Sequence, residues 1–130
     1  MKVKNKQIIE NYFNALAIGD IPTVFSLFSE NAIWHQPGKN KFSGDQIGLE
    51  AIGKMIGSMM EESEGSLKVI KSEEGMVNGN YVNVPVKFTV KKAGNQIDMK
   101  GFDLFRLENE KITEVWLFSE NQEDEDQFWG

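Results

Sequence analysis

Apolar residues recur at three-to-four spacing through the first half of the chain and at spacing two through the second. In QIIENYFNALA, the side chains Ile8, Ile9, Tyr12, Phe13 and Leu16 fall on one helix face. Gly19 closes that helix and Asp20 opens the next. Pro22 stands in its first turn, where a missing N–H costs nothing. Val24, Phe25, Leu27 and Phe28 are expected to form the buried face of this second helix. A short apolar run, Ala32-Ile33-Trp34, leads into a Pro37-Gly38 turn and a polar loop over residues 39–46. A third helix is predicted over residues 49–62, with Ile52, Met55, Ile56, Met59 and Met60 as its apolar side.

Beyond residue 66 the period changes. Residues 67–70 read as a strand. Val82, Val84, Val86, Phe88 and Val90 alternate strictly, which predicts a half-buried strand over residues 81–90. A turn at residues 92–95 joins it to a return strand over 97–107, and a second turn at 108–111 leads to a last long strand over 112–118. Helices followed by an antiparallel meander predict an α+β domain with helices on one face of the sheet. Phe102 and Leu104 have one parity and Phe105 and Leu107 the other, so both sheet faces are covered. The helices supply one cover, and a second copy of the chain is the candidate for the other.

Composition narrows the chemistry. The 130 residues suffice for one domain with its own core, and no linker, repeat or low-complexity segment divides them. There is no cysteine, which removes disulfides, thiolate catalysis and cysteine zinc sites and suits a reducing cytoplasm. A net charge of −6 with scattered lysines argues against nucleic acid, and Lys39, Lys41 and Lys54 read as a solvated face. The N-terminal segment has no apolar signal-peptide core, and no apolar run approaches the length of a membrane span. A soluble cytoplasmic protein is expected.

Most catalytic templates fail. No G-x-S-x-G or H-E-x-x-H occurs, and one histidine cannot build a histidine-rich metal site. The acidic stretch 120–126 lacks the spacing of a calcium loop and reads as a solvated helix end. Gly48 to Lys54 fits a phosphate loop up to its last position, where Met55 offers no hydroxyl for magnesium. Gly53 and Gly57 are better read as allowing the third helix to approach the sheet. No metal or cofactor is expected. What remains is a set of polar groups in apolar surroundings. Tyr12 lies on the buried stripe of the first helix, as a core tyrosine or as a site residue. Asp103 sits inside the apolar strand KGFDLFRL. Pairing with Arg106 explains it poorly, because residues three apart on a strand point to opposite faces. A buried unpaired acid is costly unless protonated, which makes Asp103 a site candidate. His35 and Gln36 end a strand beside a turn, and His35 is either a site residue or an ordinary strand-end side chain.

The stretches YFNALAIGDIPTVFSLFSENAIWHQPG and FDLFRLENEKITEVWLF resemble the nuclear-transport-factor-two-like superfamily, which includes ketosteroid isomerases and SnoaL-like polyketide cyclases. The resemblance covers nearly the whole chain. It implies a cone-shaped curved sheet, antiparallel or mixed, wrapped around the N-terminal helices in a cystatin-like α+β barrel. It also implies an apolar pocket and frequent dimers. By that resemblance Tyr12 and Asp103 stand where ketosteroid isomerases place two oxyanion donors. Gln36 stands where they place the base, and an amide cannot accept and return a proton at neutral pH. On a regular strand His35 points away from the pocket and Trp34 and Gln36 toward it; a bulge or the Pro37 turn would be needed to bring His35 inward as the base. Trp116 and Phe118, with Glu114 nearer the rim, are expected on the pocket side of the last strand. Phe42, Met55, Met59 and the pair Phe128-Trp129 are expected to close it, each being also a candidate for plain core packing. Three readings stay open. The first is an isomerase or cyclase acting on an apolar carbonyl compound, with Tyr12, Asp103 and His35 catalytic. The second is a binder of an apolar small molecule without catalysis. The third is an interaction module pairing as a homodimer through the outer sheet face.

Overall fold

The computed structural model describes residues 2–130. Two helices open the chain, α1 (Lys2–Ala17) and α2 (Ile21–Ser26). Gly19, at a φ of +72°, makes the left-handed turn between them that only glycine adopts without strain. Asp20 caps α2, accepting from the Thr23 backbone N–H at 3.2 Å and from the Thr23 hydroxyl at 2.6 Å. Strand β1 (Phe28–Gln36) and the short β2 (Gly44–Ile47) follow, then α3 (Leu49–Glu62). Strands β3 (Lys68–Lys71), β4 (Met76–Asn78), β5 (Tyr81–Lys92), β6 (Asn95–Glu108) and β7 (Lys111–Ser119) complete the sheet, and α4 (Gln122–Trp129) ends the order.

The seven strands form one curved, unclosed sheet in the order β2-β1-β7-β6-β5-β3, with β4 also on β5. All pairings are antiparallel except β1 with β7, so the sheet is mixed. Its inner face carries Val82, Val84, Val86, Phe105, Leu107 and Val115, all buried. Ile9, Tyr12 and Phe13 of α1 and Ile52, Met55 and Met59 of α3 pack into the same core cluster. The α+β class, the curved sheet and the N-terminal helices laid against it are as the sequence predicts.

Several local expectations change. Helix α2 stops at Ser26, and Phe28 belongs to β1, which runs nine residues instead of three. Polar Ser29, Glu30 and Asn31 hide that strand from a hydrophobic pattern. The polar loop after Gly38 contains an edge strand, β2, and residues 76–78 form another, β4. Gly53 touches the Phe25 ring of α2 instead of the sheet, and Gly57 faces open space. The acidic tail is not simply a solvated helix end, because Glu125, Phe128 and Trp129 of α4 are buried.

One irregularity matters for the site. Leu107 pairs with Ile112, yet Arg106 pairs with Glu114, so β7 holds one extra residue opposite β6. This β-bulge puts Ile112 and Val115 on one face although they are three apart.

Candidate functional site

The α1 stripe carries Tyr12 into the interior, where its ring meets Phe13, Phe28 and Phe105 edge-on at centroid distances of 5.0, 5.8 and 5.3 Å. Asp103 reaches the same interior from β6. It pairs with Val84 of β5 and Leu117 of β7, so its flanks are apolar. Tyr12 is 3% exposed and Asp103 4%. No described residue hydrogen-bonds the Asp103 carboxyl, and burial pushes its pKa up to about 7. Burial, and secondarily the Asp103 charge, raises the Tyr12 hydroxyl well above its ordinary value. Tyr12 therefore lies close enough to Asp103 to feel its charge. In mildly acidic solution both hold protons and both can donate.

Gln36 stands on the same inner face and is 7% exposed. The Trp34 indole N–H donates to Gln36 Oε1 at 2.9 Å. That bond occupies the amide oxygen; the amide N–H groups make no hydrogen bond to a described residue and are not fully enclosed, the fully enclosed unpartnered side-chain atoms among the described residues being Asn83 Oδ1 and Trp129 Nε1. The parallel seam pairs Trp34 with Val115 and His35 with Trp116, so Gln36 lies beside Leu117. Leu117 in turn faces Asp103. Across the sheet floor the order is therefore Gln36, Leu117, Asp103, Val84.

One end of this interior is closed by α4. Trp129 is wedged edge-on against Phe42 and Phe128, each at 5.1 Å. The 37–43 loop is tied to the helix by Asn40 Nδ2 donating to Asp126 Oδ1 at 2.8 Å and by the Lys41 N–H donating to the Gly130 carbonyl at 3.0 Å. Lys92 Nζ adds a bond to the Trp129 carbonyl at 2.9 Å. Met55 and Met59 are buried on the inner side of α3. Two open clefts, of about 760 and 490 Å³, lie at the turn between β5 and β6 and beside α4; neither is lined by Tyr12 or Asp103.

His35 lies on the opposite face of the sheet. Its Nδ1 meets Asp45 Oδ1 at 2.7 Å and its Nε2 meets Glu114 Oε2 at 2.5 Å. Its ring stacks on Trp116, 5.2 Å between centroids and 12° from parallel. No bulge turns it inward, because residues 33–35 pair regularly with 114–116. Trp116, Phe118 and Glu114 are on this outer face too, contrary to the expected pocket side, because the bulge in β7 reverses the parity counted from Ile112. The structure thus brings Tyr12, Asp103, Trp34 and Gln36 to one interior and leaves His35, Trp116 and Phe118 outside it.

Glu125 is a buried acid that composition alone passes over. Burial raises its pKa, opposed by hydrogen bonds from Ser119 and Gln122. The buried Trp129 Nε1 lies beside it but outside hydrogen-bond geometry. The signal in the sequence is an acid three residues ahead of an aromatic pair, which places it on the helix side that the aromatics bury. Among the described residues no cluster of His, Cys, Asp or Glu could hold a metal ion, and no helix is long and apolar enough to cross a membrane.

No curated protein matches the chain. Among solved structures it is similar to a Xanthomonas campestris protein of unknown function with a cystatin-like fold. The two are 39% identical over 97% of this chain and 98% of that one, with a TM-score of 0.92. It is also similar to Bal32a, from a soil-derived mobile gene cassette, at 25% identity over 99% and 98% of the two chains and a TM-score of 0.94. A nuclear-transport-factor-two-like protein from Burkholderia xenovorans shares the fold at 17% identity over 100% and 98%, with a TM-score of 0.78. Residues 9–115 match the family model of the SnoaL-like domain, and the chain belongs to that family.

Proposed function

We propose that this protein binds an apolar carbonyl compound between α1 and the sheet, with Tyr12 and Asp103 donating hydrogen bonds to its oxygen. The carrying observation is a phenol and a carboxyl, both buried, near enough that the Asp103 charge raises the Tyr12 hydroxyl, and without a protein partner among the described residues. Leaving such groups unpaired costs free energy that a ligand oxygen would recover. Trp34 and Gln36 line the floor, Met55 and Met59 the α3 side, and Phe42 and Trp129 the closed end. The first test uses 1-tetralone, a flat ketone. It is expected to raise the melting temperature in a saturable way and to be recovered unaltered. No stabilisation in the wild type would refute the reading.

One observation favours a second, catalytic reading. A carboxyl with a pKa of about 7 is suited to move a proton near neutrality. In an isomerase- or cyclase-like reaction Asp103 would itself be the acid or base, since His35 faces away and Gln36 cannot serve. Conversion of a β,γ-unsaturated ketone to its conjugated isomer, with a rate that turns over near pH 7 and is abolished in Asp103→Asn, would establish it. An unchanged ketone would exclude it.

We further propose that the outer sheet face pairs two copies of the chain. Tyr81, Phe102 and Phe118 are 43%, 46% and 55% exposed on adjacent strands of that face. The charges among them, His35, Arg106 and Glu114, are already paired. A chain of net charge −6 would repel its copy elsewhere, so this internally neutralised patch suits self-association. A cytoplasmic setting is proposed on the cysteine-free composition alone.

A further inference from the structure

We infer that Gln36 is a second recognition point, and that the ligand carries two acceptor oxygens at opposite ends of a flat apolar body, as a para-quinone or aryl diketone does. The inference rests on the proposed binding site and specifies its ligand. It begins from what Trp34 does to Gln36. An amide offers an acceptor end and a donor end, and an unheld rotamer can present either of them to a ligand. Here the Trp34 N–H, a donor only, holds Gln36 Oε1 at 2.9 Å. The amide is thereby oriented, and what remains available is its N–H₂ group. Gln36 is over nine-tenths buried as a residue, while its N–H₂ group is not fully enclosed, so the donor is open to an incoming ligand.

Its place relative to Asp103 follows from strand register. Gln36 lies beside Leu117, and Leu117 opposes Asp103. Two strand spacings separate Gln36 from Asp103, roughly 10 Å at the backbone. Subtracting a hydrogen bond of about 3 Å at each side leaves on the order of 4 Å between two acceptors, which a small outward lean of either side chain brings to the roughly 5 Å between the oxygens of a para-quinone. The side chain beneath that gap is Leu117, which offers an apolar surface for a ring. Tyr12 comes from above, on α1. The chemistry is one-sided: an oriented amide N–H₂, a carboxylic acid and a phenol all donate. A ligand rich in N–H or O–H groups would bury them without acceptors, whereas one carrying carbonyls at both ends satisfies the donors on both sides.

The test compares 1,4-naphthoquinone, with two opposed carbonyls, and 1-tetralone, with one, by quenching of tryptophan fluorescence at pH 6. The chain has no cysteine to add to the quinone. Wild type is expected to bind the quinone about tenfold more tightly than the ketone. Gln36→Leu should shrink that advantage below twofold, weakening the quinone several-fold more than 1-tetralone. Where Gln36→Leu fails to fold, Gln36→Met decides, since it keeps the side-chain length and a weak acceptor for Trp34 but carries no donor; the same loss of preference is expected. Equal affinity of wild type for the two compounds, or equal weakening of both in the variant, overturns the inference and leaves the single-carbonyl site standing. Failure of wild type to bind either compound overturns both.

Discussion

Glu114 Oε2 lies 2.5 Å from His35 Nε2, while Asp45 Oδ1 lies 2.7 Å from Nδ1 of the same ring. Each ring nitrogen thus faces a carboxylate, and only the imidazolium can donate to both. Arg106 Nε donates to the other Glu114 oxygen at 3.2 Å.

Burial lowers the His35 pKa, but the bonds to Glu114 and Asp45 outweigh it and the net shift is upward. A raised folded-state pKa stabilises fully below the unfolded value near 6.5 and loses that contribution as pH rises through the folded value. The urea midpoint of wild type is therefore expected to fall as pH rises above about 6.5. His35→Gln should remove part of that slope. An identical slope in the variant would show that the carboxylates do not hold a cation.

Asp103 contributes a slope of the same sign for a different reason. Its pKa rises from 3.8 to about 7, so ionising it in place penalises the fold progressively above pH 4. About three pKa units correspond to up to about 4 kcal/mol at pH 8.5. Asp103→Asn, which carries no charge at any pH, should match wild type near pH 4 and exceed it at pH 8.5. Denaturation series for the single and double variants with His35→Gln separate the two slopes.

Tyr12→Phe removes a hydroxyl that no described residue holds. The change is expected to alter stability by less than about 1 kcal/mol. It should weaken 1-tetralone binding about tenfold, one charge-free hydrogen bond to the ligand. Unchanged affinity in a folded variant would move the ligand away from this tyrosine.

Phe118→Lys places a charge directly opposite Phe102 on the exposed apolar face. Sedimentation should show wild type as a two-copy assembly and the variant as a single chain with unchanged folding. A wild type that sediments as one chain at all concentrations contradicts the proposed pairing.

Gly101→Ala tests how closely β6 and β7 approach. A Cβ there would run into the Phe118 backbone carbonyl oxygen. A loss of roughly 2 kcal/mol or more is expected, since the backbone atom has little freedom to move. Chemical denaturation of the variant measures it.

Much of this architecture is legible in residue order. Strict alternation from Val82 to Val90 marks β5, and the three-to-four spacing around Tyr12 and Phe13 marks the buried side of α1. An acid between Phe102 and Leu104 already announces a buried carboxyl, because nothing else explains its cost. The strands β2 and β4 were not legible, being short, polar and stabilised mainly by pairing to a longer neighbour. The facing of Trp116 and Phe118 was not legible either. A single extra residue at the β6–β7 pairing reverses their side, and a bulge is set by the partner strand, not by the local pattern. The face of His35 needed no such partner, because β1 is regular from Ile33 onward.

The parallel seam between β1 and β7 has a kinetic consequence. It joins Ile33 to Glu114 and His35 to Trp116, partners some eighty positions apart along the polymer. During synthesis the segment around Trp34 has no lateral neighbour on that side until residue 116 has emerged. A nascent chain stopped before that point would show an unsatisfied strand edge with an indole on it, a surface prone to clumping. The slow step of refolding is therefore expected to be closure of this seam, after the β5–β6 hairpin, whose own partners lie close in sequence, has already formed.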